Sequence, residues 1–254
     1  MTTRPAGEVP RRLASSARLF SAEAFERLRS ARVGVVGLGG VGSWAAEALA
    51  RSGVGGLVLV DLDHVAESNL NRQVQATLST LGQHKGEALR SRLAEINPDC
   101  RVGVVDQFLS PENGPSVLGL ADAWIDACDD LAAKRSMVLH FADRQRERQL
   151  VVCGGAGGKT DPTRIQAVDL SATEQDPLLS KLRYQLRKSN GFPRSGRMRV
   201  PVVYCRQAPV SSPDCDPSAR LACAGYGSLV TVTAALGMAA AAQIMLRVTA
   251  DRSR

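Results

Sequence analysis

Four groups of residues have types and spacings that could do chemistry. The first is "GLGGVG", residues 37–42, where Gly37, Gly39, Gly40 and Gly42 leave a backbone without side chains. Such a loop lets main-chain N–H groups approach a phosphate, and a helix that starts there adds its partial positive charge. The loop alone does not choose between NAD, SAM, FAD and ATP. The second group is acidic. Asp61 follows the glycines by about 20 residues, the distance at which a carboxylate can accept hydrogen bonds from ribose hydroxyls. Asp63, two residues on, either points the same way or caps the loop.

The third group separates the alternatives. "SNLNRQ" puts Asn69, Asn71, Arg72 and Gln73 directly after the acids, and Lys85 follows. A hydride-transfer site has no need of these groups. A triphosphate does: Arg offers a fork of donors to phosphate oxygens, Asn bridges a phosphate or a metal-bound water, and Lys supplies a compact charge. The fourth group is "DACDD", with Asp126, Asp129 and Asp130. A carboxylate here can hold Mg2+, which prefers oxygen ligands and bridges phosphates. Asp129 is the chosen ligand. Asp126 lies nearer a strand, and Asp130 can cap the next helix. Taken alone, Asp129 also fits a helix N-cap.

These groups need a scaffold that brings them to one edge. Short apolar runs alternate with helical periodicities. Strands are expected at 32–37, 57–61, 101–107, 122–127 and 149–154, with helices at 41–52, 83–96 and 131–147. A short helix over 21–30 starts at Ser21, and Gly53 closes the helix before it. Such alternation predicts a doubly wound, mostly parallel α/β sheet of Rossmann type, with ligands at the carboxyl ends of its strands. Beyond "GGAGG" a C-terminal extension follows: strand 164–169, helix 174–189, strand 197–204, a loop over 205–220 and a long Ala-rich helix from Leu221 to Val248. Residues 1–15 are expected to be a flexible tail and 16–254 a single domain. Its nucleotide-binding part covers about 30–155 and its substrate-binding part about 156–254.

Composition narrows the class. Apolar residues make up 44% of the 254, enough for a sizeable core, whereas aromatics are only 4%. The six cysteines form no C-x-x-C pair, so no zinc site can be read from them. The N-terminus lacks a signal-peptide apolar run, so reduced thiols and a cytoplasmic location are expected. The last helix has the length of a membrane span. Its Ala, Gly, Thr and Ser make it weakly hydrophobic, so a buried or dimer-facing helix is expected ahead of peripheral membrane contact. Lys and Arg outnumber Asp and Glu by 32 to 25. Between positions 181 and 206 stand Lys181, Arg183, Arg187, Lys188, Arg194, Arg197, Arg199 and Arg206, with no acid. Such a run can neutralise RNA phosphates.

The set G-x-G-G-x-G, D-x-D-x-V-x-x-S-N-L-N-R-Q, Lys85 and D-x-x-D resembles the ThiF/MoeB and ubiquitin-activating superfamily over residues 17 to 250. The resemblance implies ATP and Mg2+ as cofactors and adenylation of a carboxylate. It implies that Asp61, Asn71, Arg72, Lys85 and Asp129 surround the triphosphate. It also implies a homodimer in which Arg18 reaches the neighbour's ATP. Members that activate sulfur carriers usually hold zinc on two C-x-x-C pairs, which are absent here. "GGVGSWAAEALARSG", "INPDCRV", "GGAGGKTDPTRIQ" and "QDPLLSKLR" resemble instead the tRNA threonylcarbamoyladenosine dehydratase branch. That branch implies tRNA as substrate, cyclisation of the modified adenosine, and release of AMP and pyrophosphate. Adenylation of the C-terminus of a ubiquitin-like sulfur carrier is the alternative. The branch also raises a cysteine-desulfurase system as a sulfur-transfer partner, with Cys223 as a candidate acceptor. It implies no DNA partner.

Overall fold

The computed structural model describes residues 9–142, 149–210 and 226–250. Seven strands form one sheet in the order β3-β2-β1-β4-β5-β7-β6. They are β1 (Arg32–Val36), β2 (Gly56–Val60), β3 (Arg101–Val105), β4 (Ala123–Asp126), β5 (Leu150–Cys153), β6 (Ile165–Asp169) and β7 (Pro201–Cys205). All pairings are parallel except β6 with β7. The helices are α1 (Ala14–Ala17), α2 (Ala22–Ser30), α3 (Gly42–Ser52), α4 (Lys85–Ile96), α5 (Gly114–Leu118), α6 (Leu131–His140), α7 (Pro177–Ser189) and α8 (Val230–Thr249).

Alternation along the strands sorts side chains to two faces. Val33, Val35, Leu57 and Leu59 join the core beneath α2, α3, α4 and α8. Val36, Val58, Val60 and Val152 join the opposite core with α5, α6 and α7. Helices therefore cover both faces, as expected of a doubly wound sheet. In the centre, Gly34 leaves room for the buried Trp124 ring, which a Cβ there would strike at 2.1 Å. The C-terminal segment completes this sheet: β7 pairs β5, and α8 packs mainly on α3. At Gly237 the two helices touch, since a Cβ would lie 2.4 Å from the Val41 carbonyl.

Several boundaries differ from the sequence expectations, each for a local reason. The tail expected over 1–15 is already helical from Arg11, and Leu13 is buried in the core. Helix α4 starts at Lys85 because the His84 ring accepts the Gly86 N–H as its N-cap. Helix α7 starts at Pro177 because Asp176 caps it. Strand β7 starts at Pro201 because the Met198 and Val200 amides donate to Asp169 instead of to a strand. Helix α8 starts at Val230, after an extended Leu229. The far end of the expected helix 131–147, most of the 205–220 loop, Cys215 and Cys223 lie outside the described residues.

Candidate ATP site at the carboxyl ends of the central strands

The glycines of the loop have different places. Gly37 has φ +84°, and its missing Cβ would sit 2.8 Å from the Cys128 backbone. A Cβ on Gly42 would strike the Gly37 carbonyl at 1.8 Å, so the turn closes on itself. Gly40 packs between the Thr233 and Arg72 side chains. Only at Gly39 would a Cβ meet nothing within 4 Å. Thus Gly37 and Gly42 shape the turn, Gly40 seats its neighbours, and Gly39 leaves open space beside the N-terminus of α3.

The end of β2 holds this loop. Asp61, 7% exposed, accepts the Leu38 N–H at 2.6 Å through Oδ2 and the Asp63 N–H at 2.9 Å through Oδ1. Its carboxylate therefore joins the acidic segment to the glycine turn. Asp63 in turn pairs with Lys85, whose Nζ lies 2.7 Å from Oδ2. Both Asp63 and Lys85 were expected near the nucleotide, and the structure adds that they bind each other.

The Asn/Arg segment is folded on itself and on the stretch that precedes α8. Arg72 Nη1 donates to the Ser68 carbonyl and to Asn71 Oδ1, at 2.7 and 2.9 Å. Asn71 Nδ2 donates to the Ser228 carbonyl at 3.1 Å. Asn69 is buried, and its Oδ1 accepts the Ala66 N–H. Gln73 is buried too and accepts from Gln75 Nε2. Asn69 and Gln73 thus support the segment, whereas Arg72 and Asn71 stand nearer solvent. Gln75, which the sequence did not single out, also donates to the Leu38 carbonyl. Trp44 and Ser43 of α3 clamp the same segment, through the Arg72 carbonyl and the Val74 N–H.

At the end of β4 the three acids separate. Asp130 caps α6 by accepting the Ala133 N–H at 2.7 Å. Asp129 is exposed and has no hydrogen bond or ion pair among the described residues. Asp126 is fully buried and pairs with the equally buried Lys134 at 3.0 Å. Lys134 also donates to the Cys153 carbonyl, joining β4 to β5. Asp126 Oδ2 has no hydrogen-bond partner among the described residues. Cys128 Sγ leans on Asp126 at 3.0 Å. Burial and the Asp126 charge push the Cys128 thiol well above the ordinary range, and burial pushes Cys153 up to about 12. These thiols are packing groups, not nucleophiles.

His84 is mostly buried, with Nε2 at 3.0 Å from the Asp61 carbonyl and 3.1 Å from Asp106 Oδ1. Because Nδ1 accepts the Gly86 N–H, Nε2 carries the proton in the neutral ring. His84 therefore ties α4, and with it Lys85, to the end of β2.

The structure thus brings Gly37–Gly42, Asp61, Asp63, Asn71, Arg72, Lys85 and Asp129 to one edge. It does not bring Arg18 there. Arg18 is exposed at the end of α1. Leu13 anchors that segment against Gly53, at the far end of α3 from the glycine turn. The arrangement suits a nucleoside triphosphate with a divalent cation. It offers open space at a helix N-terminus, two cations and one unengaged carboxylate. Among the described residues no group of three or more His, Cys, Asp or Glu could hold a metal by itself.

Comparison with known proteins agrees. The ThiF family model matches residues 11–253. The chain belongs to the ThiF family. This ThiF-family chain is 40% identical to the tRNA threonylcarbamoyladenosine dehydratase of Haemophilus influenzae, over 90% of its own length and 89% of that protein's. It also matches crystal structures of the Escherichia coli tRNA N6-threonylcarbamoyladenosine dehydratase, TcdA. Against the ATP complex the TM-score is 0.84 at 38% identity, covering 93% of each chain. Against the AMP complex it is 0.86 at 37% identity, covering 96% of each.

Proposed function

We infer that the protein is an ATP-dependent tRNA threonylcarbamoyladenosine dehydratase. The observation that carries this reading is the near full-length likeness to dehydratases whose structures hold ATP and AMP. A carboxylate oxygen is a poor leaving group, whereas AMP is a good one. The threonyl carboxylate of the modified adenosine attacks the α-phosphorus of ATP, and the bond to pyrophosphate breaks. The carbamoyl group then attacks the activated carbonyl carbon, a ring closes and AMP leaves. The net change in the nucleoside is loss of one water.

In this reading the N–H groups beside Gly39 and the N-terminus of α3 hold phosphate oxygens. Arg72 and Lys85 stabilise charge that develops as pyrophosphate departs. Lys85 must exchange Asp63 for phosphate to do so. Asp61 accepts from the ribose while it holds the Leu38 amide. Asp129 is the residue that would hold Mg2+, which when bound supplies charge compensation to the phosphates.

The homodimer belongs to the same proposal. Arg18 is too remote to serve its own glycine loop, so a partner's site is where it can act. Met238, 41% exposed on the outer face of α8, offers apolar surface for a second copy. The inner face of α8 is taken up by the buried Val232, Leu236, Ala240 and Ile244. That favours a packed helix over a membrane span, although its length and mean hydropathy of 1.4 would allow one. A cytoplasmic location accompanies a tRNA substrate. No observation specifically favours a sulfur-transfer partner.

The experiment is pyrophosphate release with ATP and Mg2+, started either by tRNA bearing threonylcarbamoyladenosine or by a ubiquitin-like carrier with a C-terminal glycine. Stimulation by the tRNA alone is expected. Stimulation by the carrier alone would transfer the protein to the carrier-activating reading.

A further inference from the structure

We propose that Arg197 and Arg199 form a docking site for RNA backbone phosphate at the end of the sheet opposite the glycine turn. The inference rests on the tRNA-dehydratase reading and adds a contact remote from the reacting atoms. It starts from how the fold divides the basic run of residues 181–206. Arg183 is spent on the Leu170 and Thr173 carbonyls, Arg187 on the Pro193 carbonyl, and Arg206 on Glu174. These three hold the structure together. Arg197 and Arg199 do not: Arg197 is 82% exposed, and no hydrogen bond is made by either side chain among the described residues.

The loop between α7 and β7 is built to display this pair. Met198 and Val200 are buried, so the arginines between and beside them face outward. Asp169 fixes the alternation by accepting the Met198 and Val200 amides at 2.8 and 3.1 Å. It also accepts both the amide and the hydroxyl of Ser171. Among the described residues, the one carboxylate within ion-pair reach of the pair is therefore already engaged by Met198, Val200 and Ser171. Arg197 Nε stands 3.8 Å from it, at the limit of an ion pair. Arg199 is held at φ +60°, a conformation that L side chains seldom adopt. A non-glycine residue in that region points to a function when the surroundings over-determine it.

Two cavities, of about 360 and 610 Å³, meet at these arginines and share Arg197, Arg199 and Pro201 as walls. Guanidinium forks match phosphate oxygens in pairs. The outward residues of the loop, Pro193, Arg194, Ser195 and Gly196, bring no large apolar group, and the single exposed Leu246 that α8 adds to the larger cavity is flanked by Gln243 and Arg247. The chemistry favours a hydrophilic phosphodiester over a lipid surface. Pro201 opens β7, so the site lies at the amino ends of the parallel strands, away from Gly39. Contact there binds substrate and transition state equally, which lowers KM and leaves kcat unchanged.

The test uses the full chain with Arg197→Gln and Arg199→Gly together, glycine being at ease at φ +60°, and Arg197→Gln alone as a milder variant. Thermal unfolding checks the fold of both. Binding of threonylcarbamoyladenosine-bearing tRNA is measured across salt concentrations, beside turnover. The double variant is expected to lose about 1.4–1.8 from the log–log salt slope, corresponding to two phosphates. The single variant is expected to lose about half of that. KM for tRNA should rise about tenfold, with kcat and ATP binding unchanged. Turnover of tRNA by the unmodified chain, with an unaltered slope and KM in the double variant, overturns this site alone. Loss of binding to phosphatidylserine vesicles without change on tRNA overturns it in favour of a membrane contact. Absence of both tRNA binding and tRNA turnover in the unmodified chain overturns the functional reading, and this site with it.

Discussion

Lys85 Nζ and Asp63 Oδ2 stand 2.7 Å apart, with the lysine buried and the aspartate more than half exposed. The pair keeps a lysine in place at the N-terminus of α4, aimed at the edge where the glycine turn opens. Replacing Lys85 by Ala is expected to lower kcat/KM for pyrophosphate release by roughly 10²–10³, the usual loss when one preorganised charge is removed from a transition state. Asp63→Asn keeps a hydrogen-bonding partner for Lys85 and should cost about tenfold or less. Because Asp63 is exposed, Asp63→Asn should shift unfolding free energy by no more than about 1 kcal/mol. Steady-state kinetics beside urea unfolding check both statements.

The Asp126–Lys134 pair makes the opposite prediction. Both side chains are fully buried, so removing one leaves an uncompensated charge. Lys134→Met should destabilise the fold by about 3–5 kcal/mol, and adding Asp126→Asn should recover part of the loss. Burial alone would lower the Lys134 pKa, but Asp126 outweighs it and leaves the value above that of an ordinary lysine. The pair's stabilisation is therefore complete below the ordinary lysine pKa of about 10.4. It is lost only as pH rises through the higher folded value. Urea unfolding of the unmodified chain between neutral pH and pH 9 should show no loss from this pair.

Glu47 sets an acid limit. It lies buried on α3 between Arg51 and Arg92, at 2.8 and 2.6 Å. Burial acts to raise its pKa, but the hydrogen bonds from Arg92 and Arg51 outweigh that and hold it below the ordinary value. Its contribution is present above about pH 4.3 and is lost as pH falls through the lower folded value. Glu47→Gln should lower stability at neutral pH and flatten the fall in stability between about pH 5 and 3. Chemical unfolding across that range measures it.

Asp129 and Arg18 can be tested as a pair. Asp129 is exposed and unengaged, so Asp129→Ala should abolish turnover and leave thermal unfolding unchanged. Arg18→Ala should impair turnover in the same silent way. In a symmetric dimer, mixed subunits of the two variants rebuild one intact site for every broken one. Mixing the purified variants should therefore restore activity if Arg18 serves its neighbour. No rescue, with subunit exchange demonstrated, would contradict the trans arrangement.

Much of this site was legible because its spacing is short-range. The strand–turn–helix rhythm around Gly37–Gly42 placed β1 and α3, and Asp61 followed at the end of β2. Asp130 as a helix cap was readable from its position before Leu131, and that assignment leaves Asp129 for other work. What the sequence hid were partnerships across long separations. The role of His84 is one of these, since nothing nearby in the chain reveals that it bonds the Asp61 carbonyl and Asp106. Asn69 and Gln73 looked like ligands because polar side chains read alike whether they face a phosphate or their own backbone. Lys134, eight residues beyond Asp126, sits on a helix with little amphipathic signal. The basic run read as one face, yet packing divides it: Arg183 and Arg187 hold the fold while Arg197 and Arg199 are displayed.

The central claim is tested most directly by mass spectrometry of nucleosides from tRNA bearing threonylcarbamoyladenosine, after incubation with the protein, ATP and Mg2+ and mild digestion. The modified nucleoside is expected to lose the mass of one water, in step with AMP formation and only when ATP is present. An unchanged nucleoside mass, with the protein folded and ATP bound, would contradict it.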